Sequence, residues 1–129
     1  MTIPTLALIA ASPDSLRYSL QALLTGLPAI AAVQSVADTR SMLTVLTNAQ
    51  PQLVVLDVNL LRHETRPLLA LIKAIAPQTR TVVLVDTIEQ QQALQAASAD
   101  MVLLKGYPAA ELFASIERLL AQDKPAPDR

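Results

Sequence analysis

Five short runs of strand-forming residues divide the chain, and each is followed by a stretch with helical spacing of apolar side chains. The runs cover residues 6–10, 31–36, 53–57, 81–85 and 101–104. Four of them are almost wholly apolar and the second is weaker, with polar residues inside it. Unbroken apolar runs of this length, bounded by turn residues, are typical of strands buried on both faces of a parallel sheet.

Helix signals occupy the segments between the runs. Residues 12–15, Ser-Pro-Asp-Ser, provide a hydroxyl cap, a proline at the first helical position and an acid in the first turn. Leucines at three- and four-residue spacing follow, and the segment 26–28 ends this helix. The same reasoning predicts helices after Asp38, from Pro67 after a polar loop at 62–66, over 88–97, and from Pro108.

Strands that alternate with helices five times predict right-handed crossovers and a doubly wound parallel sheet covered on both faces. The fold class is therefore α/β, with five strands. From Asp123 onward the sequence has the composition of a linker. We expect one domain over residues 1–122 and a linker-like tail over 123–129.

Composition excludes several function classes. A chain of 129 residues with net charge −1 and 52% hydrophobic residues describes a globular domain rather than a disordered or nucleic-acid-coating protein. No apolar run approaches the roughly 18 residues of a membrane span, and no basic region precedes the first apolar run, so we expect a cytoplasmic protein. The absence of cysteine and the single His63 exclude thiolate chemistry and a multi-histidine metal centre. With two glycines, the chain has no glycine-rich phosphate loop.

Candidate chemistry collects at one edge of the predicted sheet. The carboxyl ends of parallel strands meet there, which is where ligands bind in open α/β sheets. We therefore expect Ala11, Asp57, Val85 and Lys105 to lie near one another. One acid and one base meet in this group.

The chain resembles the CheY-like receiver domain of two-component response regulators. The resemblance lies in a buried strand that ends in Asp57 and a later strand that ends in Lys105, followed by a helix that begins with a proline. The resemblance covers residues 5–122 and is nearest to receivers that precede LuxR-type helix-turn-helix domains, through segments 51–59 and 99–105. It implies a flavodoxin-like (βα)5 fold. It also implies that Asp57 is the phosphoacceptor and that Lys105 is the base contacting the phosphoryl oxygens.

Several positions depart from the receiver pattern. Receivers carry an acidic pair that holds Mg²⁺ at the end of the first strand, whereas this chain has Ala11 and Ser12. The hydroxyl residue at the end of the fourth strand falls on Val85, and the aromatic residue three positions before the lysine is Val102. Mg²⁺ prefers oxygen ligands, and phosphoryl transfer relies on it to neutralise developing charge. These departures predict a degenerate phosphorylation site without metal or other cofactor.

We therefore predict a pseudo-receiver, a non-enzymatic module of signal transduction or transcription regulation. An ion pair between Asp57 and Lys105 would replace the metal, and the domain would act through protein partners without Mg²⁺-dependent phosphorylation. The resemblance also implies a homodimer, because receivers commonly dimerise through the face of the last helix. We expect this domain to make no direct contact with nucleic acid and none with a membrane.

Two functional alternatives stay open, beside a purely structural role as a dimerising cap. In the first, Asp57 still accepts a phosphoryl group, and Asp14 or Asp86 supplies the missing Mg²⁺ ligand. In the second, a small molecule binds in the vacated pocket, which the lost acids leave more apolar. The simpler interpretation of Asp14 is a charge at a helix N-terminus. Asp86 could reach toward Lys105 or a cation, and its simpler interpretation is a solvated loop acid.

Overall fold

The five predicted strands form one parallel sheet in the structure, a computed structural model that describes residues 5–12, 14–61, 64–95 and 97–122. The strands are β1 (Leu6–Ala10), β2 (Ala32–Val36), β3 (Leu53–Asp57), β4 (Arg80–Val85) and β5 (Met101–Leu104). Their order in the sheet is β2-β1-β3-β4-β5. The predicted fold class is confirmed, and β3 lies at the centre of the sheet.

Helices cover both faces of the sheet. They are α1 (Asp14–Thr25), α2 (Thr39–Ala49), α3 (Val58–Leu61), α4 (Thr65–Ile75), α5 (Ile88–Leu94) and α6 (Ala109–Ala121). Buried side chains of α1 and α6 pack on one face of the sheet, and those of α2, α3, α4 and α5 pack on the other. We call the first of these the α1–α6 face. Burial of apolar surface on both faces is the main stabilising term for such a sheet.

The structure differs from the sequence prediction most clearly after Asp57. A polar loop was expected there, but the short helix α3 follows β3 directly. The next helix begins at Thr65 rather than Pro67, which the first turn tolerates because its N–H groups have no intrahelical acceptor. Helix α5 ends at Leu94 rather than at residue 97. Within the described ranges, no helix is long and apolar enough to cross a membrane.

Two caps shape the loops at the carboxyl edge of the sheet. Asp38 caps α2 as predicted, since its Oδ1 accepts a hydrogen bond of 2.7 Å from the Ser41 backbone N–H. Thr87 caps α5 through a capping box with Gln90, in which each side chain accepts a hydrogen bond from the other residue's backbone. The loop between β4 and α5 is therefore held in a defined conformation.

Candidate functional site

Asp57 faces the α1–α6 side of the sheet because side chains alternate along a strand. Val55 of β3 packs in the core cluster beneath α1 and α6, whereas Leu56 packs in the cluster on the opposite face. Asp57 follows Leu56 and returns to the α1–α6 side. It pairs with Leu84 in the register between β3 and β4, and Leu84 packs in the same cluster as Val55.

The same alternation brings three other strand ends to this place. Ala11 follows β1 and is itself buried in the cluster beneath α1 and α6. Asp86 lies two residues after Leu84, and Lys105 lies two residues after Leu103, and both leucines belong to that cluster. The carboxyl edge thus carries two acids and one base on one face.

Lys105 joins the two acids. Its Nζ lies 2.5 Å from Asp57 Oδ1 and 2.9 Å from Asp86 Oδ1. The predicted contact between Asp57 and Lys105 is therefore present. Asp86 is an exposed loop acid, and its carboxylate also reaches Lys105, because strand alternation directs it to the α1–α6 face. The Asp57 side chain is 0% exposed, that of Lys105 22% and that of Asp86 42%.

Asn59 binds both carboxylates and was missed by the sequence reasoning. Its backbone N–H donates to Asp57 Oδ1 at 3.1 Å, and its side-chain Nδ2 donates to Asp86 Oδ2 at 2.9 Å. Asp57 Oδ2 is buried and has no hydrogen-bond partner among the residues that the structure describes. A buried carboxylate oxygen left without a donor is costly, so the charge of Lys105 is what makes this burial tolerable.

The two solvent-accessible members of the group have shifted pKa values. Burial alone would lower the pKa of Lys105, but hydrogen bonds and charge from Asp57 and Asp86 outweigh it and raise that pKa above 10.5. The pKa of Asp86 lies below its ordinary 3.8, first through the hydrogen bond from Lys105 and then through that from Asn59. The ionised forms of both residues are therefore favoured at neutral pH.

These pKa shifts predict the pH range in which the contact between Asp86 and Lys105 stabilises the fold. The pKa of folded Asp86 is lowered, so its contribution is present above its ordinary 3.8 and is lost as the pH falls through the folded-state pKa. The raised pKa of Lys105 keeps its contribution intact below 10.5, with loss as the pH rises further. We expect the melting-temperature difference between wild type and Asp86→Asn to be constant between about pH 5 and 9 and to shrink below about pH 4. A difference that varied across the neutral range would contradict this assignment.

Val85 and Val102, predicted at degenerate switch positions, do not face the acids. Both pack with the core cluster on the face opposite α1 and α6, because strand alternation directs them there. Val85 contributes its backbone carbonyl, which accepts the Lys105 N–H at 2.9 Å. The Val102 carbonyl accepts a 3.0 Å hydrogen bond from Gln91 Nε2, which ties α5 to β5. Asp86, one residue beyond Val85, is the side chain that reaches Lys105.

The two degenerate acidic-pair positions supply no carboxylate. Ala11 is fully buried and Ser12 is exposed. Arg17 Nη1 donates hydrogen bonds of 2.8 Å to the backbone carbonyls of both residues. A guanidinium group therefore lies against the end of β1.

The residues described at this edge do not fit a Mg²⁺ site. Mg²⁺ requires several oxygen ligands in octahedral geometry, usually with carboxylates among them. Asp57 and Asp86 both hold the ammonium of Lys105 instead, and the described part of the chain contains no group of three or more His, Cys, Asp or Glu residues that could hold a metal ion. Asp14, the other proposed compensating acid, begins α1, but its side chain lies outside what the structure describes.

A cavity of about 270 Å³ lies between α1 and α6 beside Lys105. Its lining is mainly leucine, with Ser19 and Tyr107 as polar members. Small-molecule pockets typically enclose about 300–1,000 Å³, so this cavity is slightly smaller than that range. Of the described residues that line it, Lys105 alone is charged.

Comparison with known proteins gives matches to solved structures only. No protein-family model matches the sequence, and no curated protein matches it. The signal receiver domain of an HD domain-containing protein from Pseudomonas fluorescens Pf-5 is 23% identical, with a TM-score of 0.78 over 93% of this chain and 89% of that chain. A LuxR-family two-component response regulator from Aurantimonas sp. SI85-9A1 is 22% identical, with a TM-score of 0.78 over 92% and 86% of the two chains.

A third similar structure is the signal receiver domain of a putative Luxo repressor protein from Vibrio parahaemolyticus. It is 19% identical, with a TM-score of 0.78 over 92% of this chain and 91% of that chain. Identities of this size establish the architecture and not the chemistry of the site. The chain therefore has the receiver fold.

Proposed function

We propose that this chain, with its receiver fold, is a pseudo-receiver that acts in signalling through protein contacts and not through a phosphoryl group on Asp57. One observation carries the proposal: the Lys105 ammonium binds both nearby carboxylates, at 2.5 and 2.9 Å. The positive charge that a metal would supply to this edge is supplied by the protein itself.

Charge balance supports the proposal. Phosphoryl transfer to a carboxylate adds negative charge, and enzymes and receivers neutralise it with a metal ion. Here Lys105 already balances Asp57, and the two positions expected to carry the metal-binding acids are an alanine and a serine whose carbonyls bind Arg17. An incoming phosphoryl group would meet a lysine already engaged twice, and Arg17, the cation described at the end of β1, is bound to the carbonyls of Ala11 and Ser12.

Signalling through contacts requires an accessible surface, and two large exposed side chains with mainly hydrophobic surface lie close in sequence to the ion pair. Ile88, two residues after Asp86, is 56% exposed, and Tyr107, two residues after Lys105, is 36% exposed. We therefore propose that the domain acts by binding other proteins. The homodimer stays a prediction, since Leu112, Ile116 and Leu119 of α6 are buried in the core of a single chain.

Ligand gating is a second candidate, favoured by the leucine-lined cavity beside Lys105. A ligand with an anionic group would have to compete with Asp57 and Asp86 for the same ammonium. An apolar ligand would depend on a volume of only about 270 Å³. The pseudo-receiver is therefore the better-supported function.

Intact-mass analysis after incubation with acetyl phosphate and Mg²⁺ tests the proposal. We expect neither wild type nor Asp57→Ala to gain mass on treatment, because neither metal nor phosphoryl group finds its ligands. A true receiver domain, treated in the same tube, controls for an active phosphodonor. A phosphoryl-sized increase confined to wild type would refute the pseudo-receiver and favour a phosphorylatable receiver in which another acid, Asp14 or Asp86, ligates Mg²⁺.

A further inference from the structure

Asp86 meets two hydrogen-bond donors that follow two other strands of the sheet. Its Oδ1 lies 2.9 Å from Nζ of Lys105, after β5. Its Oδ2 accepts a 2.9 Å hydrogen bond from Nδ2 of Asn59, after β3. Each oxygen of the carboxylate thus has its own donor, one of them charged, which is the arrangement that proteins use to bind oxyanions.

We propose that Lys105 and Asn59 form an oxyanion-binding site, and that Asp86 fills it with the protein's own carboxylate. The site takes a carboxylate or a phosphate-like anion when Asp86 is absent and excludes both when Asp86 is present. This inference rests on the proposed function, since a phosphoryl group on Asp57 would need the same ammonium of Lys105. It adds a second obstacle to phosphorylation beside the missing metal ligands.

The loop that carries Asp86 is held independently of its carboxylate. The backbone N–H groups of Asp86 and Thr87 donate to Gln90 Oε1 at 2.8 and 3.2 Å, and Gln90 N–H donates to Thr87 Oγ1 at 3.1 Å. Lys105 is also held by Asp57. The backbone N–H of Asn59 donates to Asp57 Oδ1 at 3.1 Å. Removing the Asp86 carboxylate therefore leaves the Lys105 ammonium and the Asn59 backbone anchored, and anchored donors bind an anion at a lower cost in ordering.

Exposure and charge complete the case. The Asp86 side chain is 42% exposed, so the space it vacates opens to solvent. In wild type the edge carries the carboxylates of Asp57 and Asp86 and the ammonium of Lys105. Without Asp86, one carboxylate and one ammonium remain. A bound monovalent oxyanion then returns the edge to the net charge that it has in wild type. The hydrogen bonds from Lys105 and Asn59 also lower the pKa of Asp86, as donors that favour a negative charge should.

The test is anion rescue of Asp86→Ala. The variant is titrated with sodium formate and, separately, with sodium phosphate, at ionic strength held constant with sodium chloride. Backbone amide NMR shifts of Asn59 and Gly106 and the melting temperature are followed. We expect Asp86→Ala to melt below wild type, and either anion to raise its melting temperature along a saturable curve with a dissociation constant on the order of 10 mM. Formate binding alone would assign the site to planar carboxylates, and phosphate binding would extend it to tetrahedral oxyanions.

Three control proteins test whether anion binding depends on the loss of the Asp86 carboxylate. Wild type should show no saturable response, and Asp86→Asn, whose amide still fills the space, should bind either anion at least about tenfold more weakly than Asp86→Ala. Asp38→Ala removes another exposed acid that bonds uncharged donors, and we expect anions not to restore its stability. Equal anion binding by wild type and Asp86→Ala, or none by Asp86→Ala, would overturn the inference.

Intact-mass analysis of Asp86→Ala with acetyl phosphate and Mg²⁺ separates this inference from the proposed function. Anion binding without a mass increase is expected and supports both. A phosphoryl-sized increase would overturn the part of the proposed function that rests on lost metal ligands, while supporting Asp86 as the obstacle. Absence of both anion binding and a mass increase would overturn the inference alone.

Discussion

Replacing Lys105 by methionine is expected to lower the free energy of unfolding by about 3–5 kcal/mol. Methionine retains most of the aliphatic stem but leaves the fully buried Asp57 carboxylate without its counter-charge. One oxygen of that carboxylate already has no hydrogen-bond partner among the described residues. Urea unfolding at neutral pH, with the midpoint and slope fitted for each variant, measures the loss.

Substitutions of Asp57 and of Lys105 should lower the free energy of unfolding by different amounts. Asp57→Asn removes the buried charge and leaves Lys105 with Asp86 and partial access to solvent, so we expect less than half the loss caused by Lys105→Met. Combining Asp57→Asn with Lys105→Met should recover part of that loss, because no buried charge then remains. Lys73→Met, at an exposed lysine of α4, should stay within about 0.5 kcal/mol of wild type. A loss below about 1 kcal/mol for Lys105→Met would mean that the pair behaves as a surface ion pair.

Installing acids at the end of β1 is expected to create Mg²⁺-dependent stability. Ala10 pairs with Leu56 in the sheet register, so the next residues along the two strands, Ala11 and Asp57, are neighbours on the same face. In Ala11→Asp/Ser12→Asp the clustered carboxylates repel one another, and a bound cation relieves that repulsion. We expect the double variant to be less stable than wild type in a chelator. Mg²⁺ at about 100 times its dissociation constant should restore about 2.7 kcal/mol.

Thermal melting with and without MgCl₂, compared with NaCl of equal ionic strength, provides the measurement. Thr47→Asp/Asn48→Asp makes the same change in charge at exposed positions of α2 and should show no saturable Mg²⁺ response. The proposed function predicts the same lack of response for wild type. If the acidic double variant responded no more than its α2 control, residues 11 and 12 would not be the missing ligand positions. A saturable response of wild type that Asp57→Ala abolishes would reveal a metal site in the natural sequence.

Much of the site could be predicted from local sequence. The run of apolar residues before Asp57 identified the central strand, and the edge rule for parallel sheets brought Lys105 to the same place. The capping box between Thr87 and Gln90 was not predicted, although a threonine followed three residues later by glutamine is its usual local signature. The hydrogen bond between Asn59 and Asp86 had no such signal, because the two residues are 27 positions apart and meet only through the register of β3 and β4.

The sequence by itself determined the alternation of five strands with five of the helices, the α/β class, and the acid and base at the strand ends, since periodicity, caps and turn residues are local properties; helix α3 was not predicted. Tertiary structure alone decided that Asp86 faces Lys105 and that Val85 faces away. An unbroken apolar run is buried on both faces and does not reveal which residues point to which side. That choice depends on how β4 pairs with its neighbours and on which helices cover each face. The same long-range packing placed Asp57 out of contact with solvent and left Lys105 as its counter-charge.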